Sequence, residues 1–376
     1  MPGLYVHIPF CLQACYYCDF HYKARTDRKP DMLKAIQREA EMRCVEWPSA
    51  DVGATWYFGG GTPTVLTAEE WAMLKETLSP LYPCHGEWTV EANPEDLTPD
   101  YLSMLKTLGV NRLSIGIQSF DNGVLQWMHR RHTAERAVEA VRQAQAAGFE
   151  NLSIDLIYGI PGMTTDDWLQ QLEQAAALHV PHLSAYHLSL EPRTVFGVRL
   201  RQGKMAPVPE EESERQYALL TSFLADRGYA HYEISNFAQP GCRAVHNSGY
   251  WTGMPYVGLG PSAHSYDGKA RRWNIASNDR YIQGVQTGDE TWFQTETLTD
   301  TEKYDEYVMT RLRTSDGMDL QTMADLFGEA RTAECRRLME KYLQSGQIQP
   351  LGGMRYRIAE HAWLTADSII SDLFAG

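Results

Sequence analysis

Three cysteines stand close together near the start of the chain, in HIPFCLQACYYCDF (residues 7–20). Cys11, Cys15 and Cys18 have the spacing CxxxCxxC and follow a short β-rich run directly. Thiolates are soft ligands that suit zinc and iron–sulfur clusters. A structural zinc site takes four ligands, usually as two close pairs, and no fourth cysteine is near in sequence. Three thiolates on one loop instead favour a 4Fe-4S cluster in which one iron stays open.

Glycines and polar residues follow other β-rich runs. In FGGGTPT (residues 58–64) the glycines let the backbone approach a ligand and leave its amides free, although a tight turn has the same sequence. Glu91 in VEANPE, Gln118 in GIQSFD and Asp155 in IDLIYGIPG stand at the ends of later runs. In βα barrels, chemistry gathers at these carboxyl ends. Each residue alone is also consistent with a helix cap or a hydrogen-bonded core position.

The elements that position these residues alternate between strand and helix. The predicted strands are Leu4–Ile8, Thr55–Phe58, Trp88–Glu91, Arg112–Ile117, Leu152–Ile157 and Leu183–Leu188. The predicted helices are Asp31–Glu46, Ala68–Ser79, Pro99–Leu108, Thr133–Ala147, Asp166–Leu178 and Glu210–Arg227. Such alternation indicates parallel βα units with right-handed crossovers. We predict an α/β fold with a partial (βα)6 TIM-like barrel over residues 1–228, with an open doubly wound sheet as the alternative.

The last third of the chain differs from the rest in its composition and periodicity. Glycine, proline, asparagine and aromatic residues dominate from Tyr229 onward, which predicts an irregular extension over residues 229–296. A long segment without regular structure is usually functional. Three short helical patterns and a hairpin with a Gly-Gly turn then predict a winged-helix-like α+β domain over residues 297–376. The helical patterns are Thr301–Arg313, Asp319–Phe327 and Ala333–Ser345.

Composition and net charge exclude some classes of protein. The 376 residues are 43% hydrophobic and 22% charged, as in an ordinary globular protein. A net charge of −14 argues against a general nucleic-acid binder, since phosphate binding needs clustered lysine and arginine. Without a long apolar run or a signal sequence, we expect a cytoplasmic protein and no integral membrane segment. The scattered Cys44, Cys84, Cys242 and Cys335 are predicted to be free or buried thiols.

The cysteine motif resembles that of the radical SAM superfamily. There the open iron chelates the amino and carboxylate groups of S-adenosylmethionine (SAM), and an electron from the cluster can cleave SAM to a deoxyadenosyl radical. YVHIPFC, FGGGTPT, EANPE, GIQSFD, DLIYGIPG and the C-terminal region are together similar to the oxygen-independent coproporphyrinogen III oxidase group, over nearly the whole chain. The resemblance implies SAM contacts at Tyr5, Gly60, Gly61, Thr62, Glu91, Gln118, Arg130 and Asp155.

Two departures separate this sequence from the oxidase itself. The oxidase has CxxxCxxCxC, whereas Phe20 stands at the last position here. We also expect no counterpart of the oxidase's long N-terminal extension, since Tyr5 stands close to the first residue.

HNSGYW (residues 246–251) matches the HNxxYW motif of the HemW heme-chaperone branch. Imidazole is a common axial ligand of heme iron, so His246 is a predicted heme contact, with Tyr250 and Trp251 offering flat apolar surface. By its chemistry alone, His246 is better explained as a hydrogen-bonded loop histidine, and the complete six-residue match is what favours the heme contact. His264 is a further candidate near the heme or SAM, whereas His187 favours a core or pocket role.

The resemblance therefore implies a heme chaperone that binds heme, a 4Fe-4S cluster and SAM and passes heme to an unidentified acceptor protein. We assign no catalytic residue and expect no nucleic-acid partner. One alternative is a radical SAM enzyme that decarboxylates coproporphyrinogen III oxidatively. Another is a radical SAM enzyme with a different substrate, in which HNSGYW is only structural.

Overall fold

The computed structural model describes residues 3–46 and 54–375. The first strands of these ranges are β1 (Gly3–Ile8), β2 (Ala54–Gly60), β3 (Cys84–Ala92), β4 (Arg112–Gln118), β5 (Asn151–Tyr158) and β6 (His182–His187). The helices up to the end of this region are α1 (Lys29–Arg43), α2 (Ala68–Leu81), α3 (Pro99–Leu108), α4 (Asn122–Trp127), α5 (Ala134–Ala146), α6 (Thr165–Ala176), α7 (Val195–Arg201) and α8 (Glu210–Ala225).

The strands β1 to β6 are parallel neighbours in chain order, which confirms the predicted α/β partial barrel. Side chains alternate between the two faces of each strand. On β1, Leu4, Val6 and Ile8 are buried in the hydrophobic core together with residues of α1 and α2. Tyr5 and His7 belong to the opposite face of the strand. The helices thus cover one face, and the other lines the barrel interior where polar groups gather.

The sheet continues past the barrel strands on both sides instead of closing. The later elements are β7 (Ala230–Glu233), β8 (Asn236–Ala238), α9 (Val245–Trp251), β9 (Tyr256–Leu259), β10 (His264–Tyr266), β11 (Ala270–Asn274), α10 (Asn278–Thr287) and β12 (Phe293–Thr297). The strand order is β12-β11-β10-β9-β1-β2-β3-β4-β5-β6-β8-β7, with β9 parallel to β1 and β8 antiparallel to β6.

Residues 229–296 are therefore more regular than the sequence predicted. Their strands have three to five residues, too short for alternation to be recognised. The glycines of this segment suggested irregular structure, but one of them has a packing role. A Cβ on Gly258 of β9 would lie 2.0 Å from the backbone oxygen of His264, so only glycine permits this approach. The domain boundaries at residues 228 and 296 remain a prediction.

A buried ion pair joins helix α1 to this extension (residues 229–296). Glu39 has no exposed surface and accepts hydrogen bonds from Arg43 (3.1 Å), the Gly260 amide (2.8 Å), Asn274 Nδ2 (2.8 Å) and the Tyr281 hydroxyl (2.6 Å). Arg43 in turn donates to the Gly258 carbonyl at 2.8 Å. Because both charges are buried, their partners hold α1, β9 and α10 in one arrangement.

The C-terminal region has the helix and strand order of a winged helix. Its elements are α11 (Asp300–Leu312), β13 (Met318–Asp319), α12 (Leu320–Phe327), α13 (Glu329–Gln344), β14 (Ile348–Gly352), β15 (Arg355–Ile358) and α14 (Ala366–Ser371). Three helices precede a hairpin, and β13 completes a small antiparallel sheet of order β13-β15-β14. Across residues 3–46 and 54–375, none of the helices has both the length and the apolar character needed to cross a membrane.

Candidate functional site

The three cysteines occupy the loop that follows β1 at the carboxyl end of the barrel strands. The loop is held by backbone hydrogen bonds from Cys11 to Lys23 O (3.1 Å) and from Tyr16 to Met128 O (3.1 Å). Burial raises the pKa of the Cys11 thiol to about 11 and that of Cys18 to about 12. Both thiols are therefore protonated at neutral pH without metal, and metal binding must displace their protons.

The donor set fits a cluster better than a single ion. Cys15 raises the pKa of both Cys11 and Cys18 electrostatically, and Cys11 also raises that of Cys18, so the three sulfurs lie close together. Within the described part of the chain, however, no three histidine, cysteine or carboxylate side chains converge as a mononuclear site requires. A cubane accepts one thiolate on each of three irons, which needs a wider spacing than one tetrahedral ion. Phe20 is 72% exposed and offers no ligand.

A hydrogen-bonded chain connects two of the sulfurs around the barrel mouth. Thr62 Oγ1 donates to Cys11 Sγ at 3.3 Å, and Asn93 Nδ2 donates to Thr62 Oγ1 at 3.2 Å. Arg130 then donates to Asn93 Oδ1 at 2.8 Å and to Cys15 Sγ at 3.4 Å. Donors to sulfur favour its charged form and are among the groups that tune an iron–sulfur cluster. The sequence missed Asn93, although it lies inside the EANPE motif.

The glycine-rich run passes directly beside the cysteine loop. Gly60 has φ +104°, and a Cβ there would lie 2.5 Å from the His7 ring, so this position requires glycine. The amides of Gly61 and Thr62 donate to Ile8 O (2.9 Å) and Phe10 O (2.8 Å). The interpretation that these glycines leave their amides free was therefore wrong, because the Gly61 amide binds the adjacent backbone and the Gly60 amide binds Glu91.

Two carboxylates project into the barrel interior beneath the mouth. Glu91 accepts hydrogen bonds from the Tyr57 hydroxyl at 2.6 Å and from the Gly60 amide at 3.2 Å, while Ser114 donates to Asp155 at 3.1 Å. Burial raises the pKa of Glu91 to about 7 and that of Asp155 to about 6. A bound cation or hydroxyl donors would stabilise the ionised forms. SAM, which carries a sulfonium, an ammonium and ribose hydroxyls, offers both kinds of group.

Gln118 ends β4 in a backbone conformation that is rare for its residue type. Its φ is +68°, and the pairing of β4 with β5 shifts register between Gly116 and Gln118. A Cβ on Gly116 would lie 2.8 Å from Gln118 Nε2, so the amide folds over the glycine. Such backbone conformations cost free energy and cluster at binding sites. The local geometry thus directs the Gln118 amide toward Gly116 and, next to it, Arg130.

Tyr5 lies on the interior face of β1. Its hydroxyl is 3.0 Å from His7 Nδ1, and its ring stacks on Tyr57 with centroids 6.0 Å apart. Tyr57 is in turn hydrogen-bonded to Glu91. The predicted SAM contacts on β1, β2 and β3 are therefore neighbours in one interior layer.

His246 has a different environment from the one expected of an axial ligand. Only 3% of the residue is exposed, and its Nδ1 and Nε2 lie 2.8 Å from Thr55 Oγ1 and the Tyr250 hydroxyl. Glu87 accepts the amides of Val245 and His246 and so caps helix α9. Both imidazole nitrogens are engaged by protein, so this conformation does not present His246 to heme iron.

Acid should weaken the fold through His246. Burial lowers its pKa to about 4, while a histidine in the unfolded chain keeps a pKa of about 6.5. Between these values the unfolded chain binds the proton more readily, so this stabilisation is complete above pH 6.5 and is lost as the pH falls toward 4. The difference in unfolding free energy between wild type and His246→Gln should shrink by about 2 kcal/mol from pH 7 to pH 5.

Urea titrations of both proteins at the two pH values measure this difference. Taking the difference cancels the contribution of buried acids such as Glu91 to the pH dependence of stability, because these acids titrate in both proteins. A difference that stays constant with pH would contradict the assigned environment of His246.

The other residues of HNSGYW face a different space. Tyr250 and Trp251 line a cavity of about 550 Å³ between the extension and α11 and α12. The cavity could not be predicted from the sequence, because the residues that line it come from segments far apart in the chain.

The two other candidate histidines lie elsewhere. His264 is exposed and stacks on Trp273 with centroids 6.2 Å apart. His187 is also exposed, 2.9 Å from Ser213 Oγ, so of its predicted core or pocket role the core position was wrong and the pocket role stays a prediction.

Comparison with known proteins adds to this geometry. The model of the radical SAM superfamily matches residues 5–175. A heme chaperone HemW of Bacillus subtilis is 34% identical over 334 residues, which cover 88% of each chain. A HemW of Escherichia coli is 34% identical over 75% of this chain and 76% of its own. A mitochondrial radical S-adenosyl methionine domain-containing protein 1 of Danio rerio is 30% identical over 95% of this chain and 82% of its own.

A solved structure agrees with the fold over the full chain. The coproporphyrinogen III oxidase (HemN) of Escherichia coli, described as a radical SAM enzyme, superposes with a TM-score of 0.85. It covers 100% of this chain and 90% of its own, at 23% identity. The likeness supports the radical SAM fold.

Proposed function

The chain belongs to the HemW family of the radical SAM superfamily, and from this we propose that it is a heme chaperone. It would hold a 4Fe-4S cluster and SAM at the barrel mouth, bind heme as its cargo, and pass heme to an acceptor protein. The observation that carries the proposal is the cysteine loop with its sulfur donors in a chain whose relatives, matched over most of their length, are heme chaperones. The cytoplasmic location stays a prediction.

Cys11, Cys15 and Cys18 are the proposed cluster ligands, and the chain around them would tune the cluster. Thr62 and Arg130 direct an O–H and an N–H at two of the sulfurs. Arg130 is also fixed by the Gly116 carbonyl at 2.7 Å, so its guanidinium keeps its direction without a ligand. When bound, the cluster supplies an open iron for SAM and one-electron reduction.

The proposed SAM contacts are Tyr5, Gly60, Gly61, Thr62, Glu91, Gln118, Arg130 and Asp155. Glu91 and Asp155 provide carboxyl groups whose pKa values are raised by burial, and a bound cation would favour their ionised forms. Because the Gly61 and Thr62 amides are already used, these residues contribute shape and the Thr62 hydroxyl. The proposed role of the bound SAM is to gate heme transfer.

His246 is proposed to act on heme through Tyr250. The Tyr250 hydroxyl is held by His246 Nε2, and the Tyr250 residue lines the cavity described above. His246 thereby positions the motif's aromatic residue instead of ligating iron. In a titration with hemin, His246→Gln should weaken binding while the Soret band keeps its position; a shifted band would assign the ligand role to His246.

Heme binding and porphyrin chemistry are tested together under anaerobic conditions. Cluster-reconstituted protein should bind hemin with a saturable Soret change and release it faster to a heme-free acceptor when SAM is present. With SAM, reductant and coproporphyrinogen III, the same preparation should form no protoporphyrinogen. Formation of protoporphyrinogen at a useful rate, or failure to bind hemin, would overturn the chaperone proposal.

A further inference from the structure

The cavity of about 550 Å³ that Tyr250 and Trp251 line has the size and position of a ligand site. Small-molecule sites span about 300–1,000 Å³ and often lie where two parts of a chain meet. One set of lining residues belongs to the extension, from α9 to β11, and the other to α11 and α12 of the C-terminal region. Leu326, which is 61% exposed, also lines it and adds apolar surface.

Aromatic rings line the cavity from both sides of this interface. In the extension, Tyr256 contacts Tyr250 edge-on with centroids 4.7 Å apart, and Tyr266 lies 6.5 Å from Tyr256. In the C-terminal helices, Tyr307 and Phe327 meet edge-on with centroids 5.7 Å apart. Two aromatic sets of this kind favour a flat, polarisable ligand.

The charges of the lining favour an anion. Arg271, Lys303 and Arg311 face two carboxylates, Asp300 and Glu306, which leaves one net positive charge. The whole chain carries −14, so this sign is local to the cavity.

Each of these cations already contacts the cavity wall and would be held in place for a ligand. Arg271 pairs with Glu306, Lys303 lies 3.5 Å from Asp300, and Arg311 donates to Thr252 O at 2.8 Å. An arginine has five N–H donors and a lysine ammonium has three, so these bonds leave capacity for the carboxylates of a ligand.

We propose that this cavity is the heme site, with the macrocycle between the two aromatic sets and the propionates directed at Arg271, Lys303 and Arg311. The proposal rests on the chaperone function and adds the location of the cargo, apart from the cysteine loop. Met254 also lines the cavity, and a thioether is one of the ligands that heme iron accepts. Tyr250 connects the site to His246 and the barrel.

Charge reversal at one lysine tests the location. Lys303→Glu should weaken hemin binding roughly tenfold, since it places a carboxylate beside the propionates, and the loss should shrink at high salt. Lys341→Glu is the matched control, because Lys341 also pairs with an aspartate, Asp372, but lies on α13 outside the cavity lining. Lys303→Gln, which removes the charge without reversing it, should give a smaller loss.

Hemin dimethyl ester, which lacks both carboxylates, is the second probe. Lys303→Glu should not weaken binding of the ester, because the interaction that the substitution removes is absent there. Equal hemin affinity in wild type, Lys303→Glu and Lys341→Glu would overturn the location but leave the chaperone function intact. Failure of the wild type to bind hemin would overturn both.

Discussion

Cys18→Ala should leave the reconstituted protein without its iron–sulfur cluster. Cys18 is one of three thiolates on a single loop, and two remaining ligands cannot cap three irons. We expect iron and sulfide to fall from one cluster per chain to near zero, with loss of the broad visible absorption. Because SAM would bind the cluster's open iron, calorimetric SAM binding should be lost with it. Cys11→Ala and Cys15→Ala should behave alike.

Cys242→Ala is the control for this experiment. Cys242 is also a free thiol, but it lies between β8 and α9, away from the cysteine loop, and its Sγ donates to the Pro240 carbonyl at 3.8 Å. The substitution should leave iron, sulfide and SAM binding unchanged. A full cluster in Cys18→Ala would defeat the ligand assignment, as would loss of the cluster in Cys242→Ala.

Glu39→Ala should strongly lower the free energy of unfolding of the protein. It removes the carboxylate that pairs with the buried Arg43 and the acceptor for Gly260, Asn274 and Tyr281. Removing one partner of a buried ion pair typically costs about 3–5 kcal/mol, because the charge that stays buried loses a large part of its stabilisation. The urea midpoint should therefore fall sharply. Hydrogen exchange at the Gly260 amide should also accelerate, since its acceptor is gone.

Glu41→Ala is the matched control on the same helix. Glu41 is exposed and pairs with Arg38 at 3.4 Å, and exposed pairs contribute about 0–1 kcal/mol. Its midpoint should stay close to the wild type. If Glu39→Ala unfolded at the same urea concentration as Glu41→Ala, the ion pair would not be what fastens the extension to α1.

Local patterns in the sequence were sufficient to predict the barrel strands and the position of the cysteine loop after the first of them. The predicted strand Arg112–Ile117 became Arg112–Gln118, and the predicted helix Pro99–Leu108 kept both its ends. These elements are long enough for their periodicity to show, and Thr98 caps the helix with its own side chain. The short strands of the extension carry no such pattern and form by pairing with β1, with β6 and with one another.

The sequence by itself determined the chemistry that depends on neighbours in the chain. Cys11, Cys15 and Cys18 share one loop, so their spacing alone predicts three thiolates for the proposed cluster, whatever packs around them. Only the tertiary structure decided the environment of His246, whose ring is hydrogen-bonded to Thr55, 191 residues away. It also decided the cavity, whose walls join residues from 250 to 327. Burial and hydrogen-bond partners arise from packing of distant segments, and no local pattern encodes them.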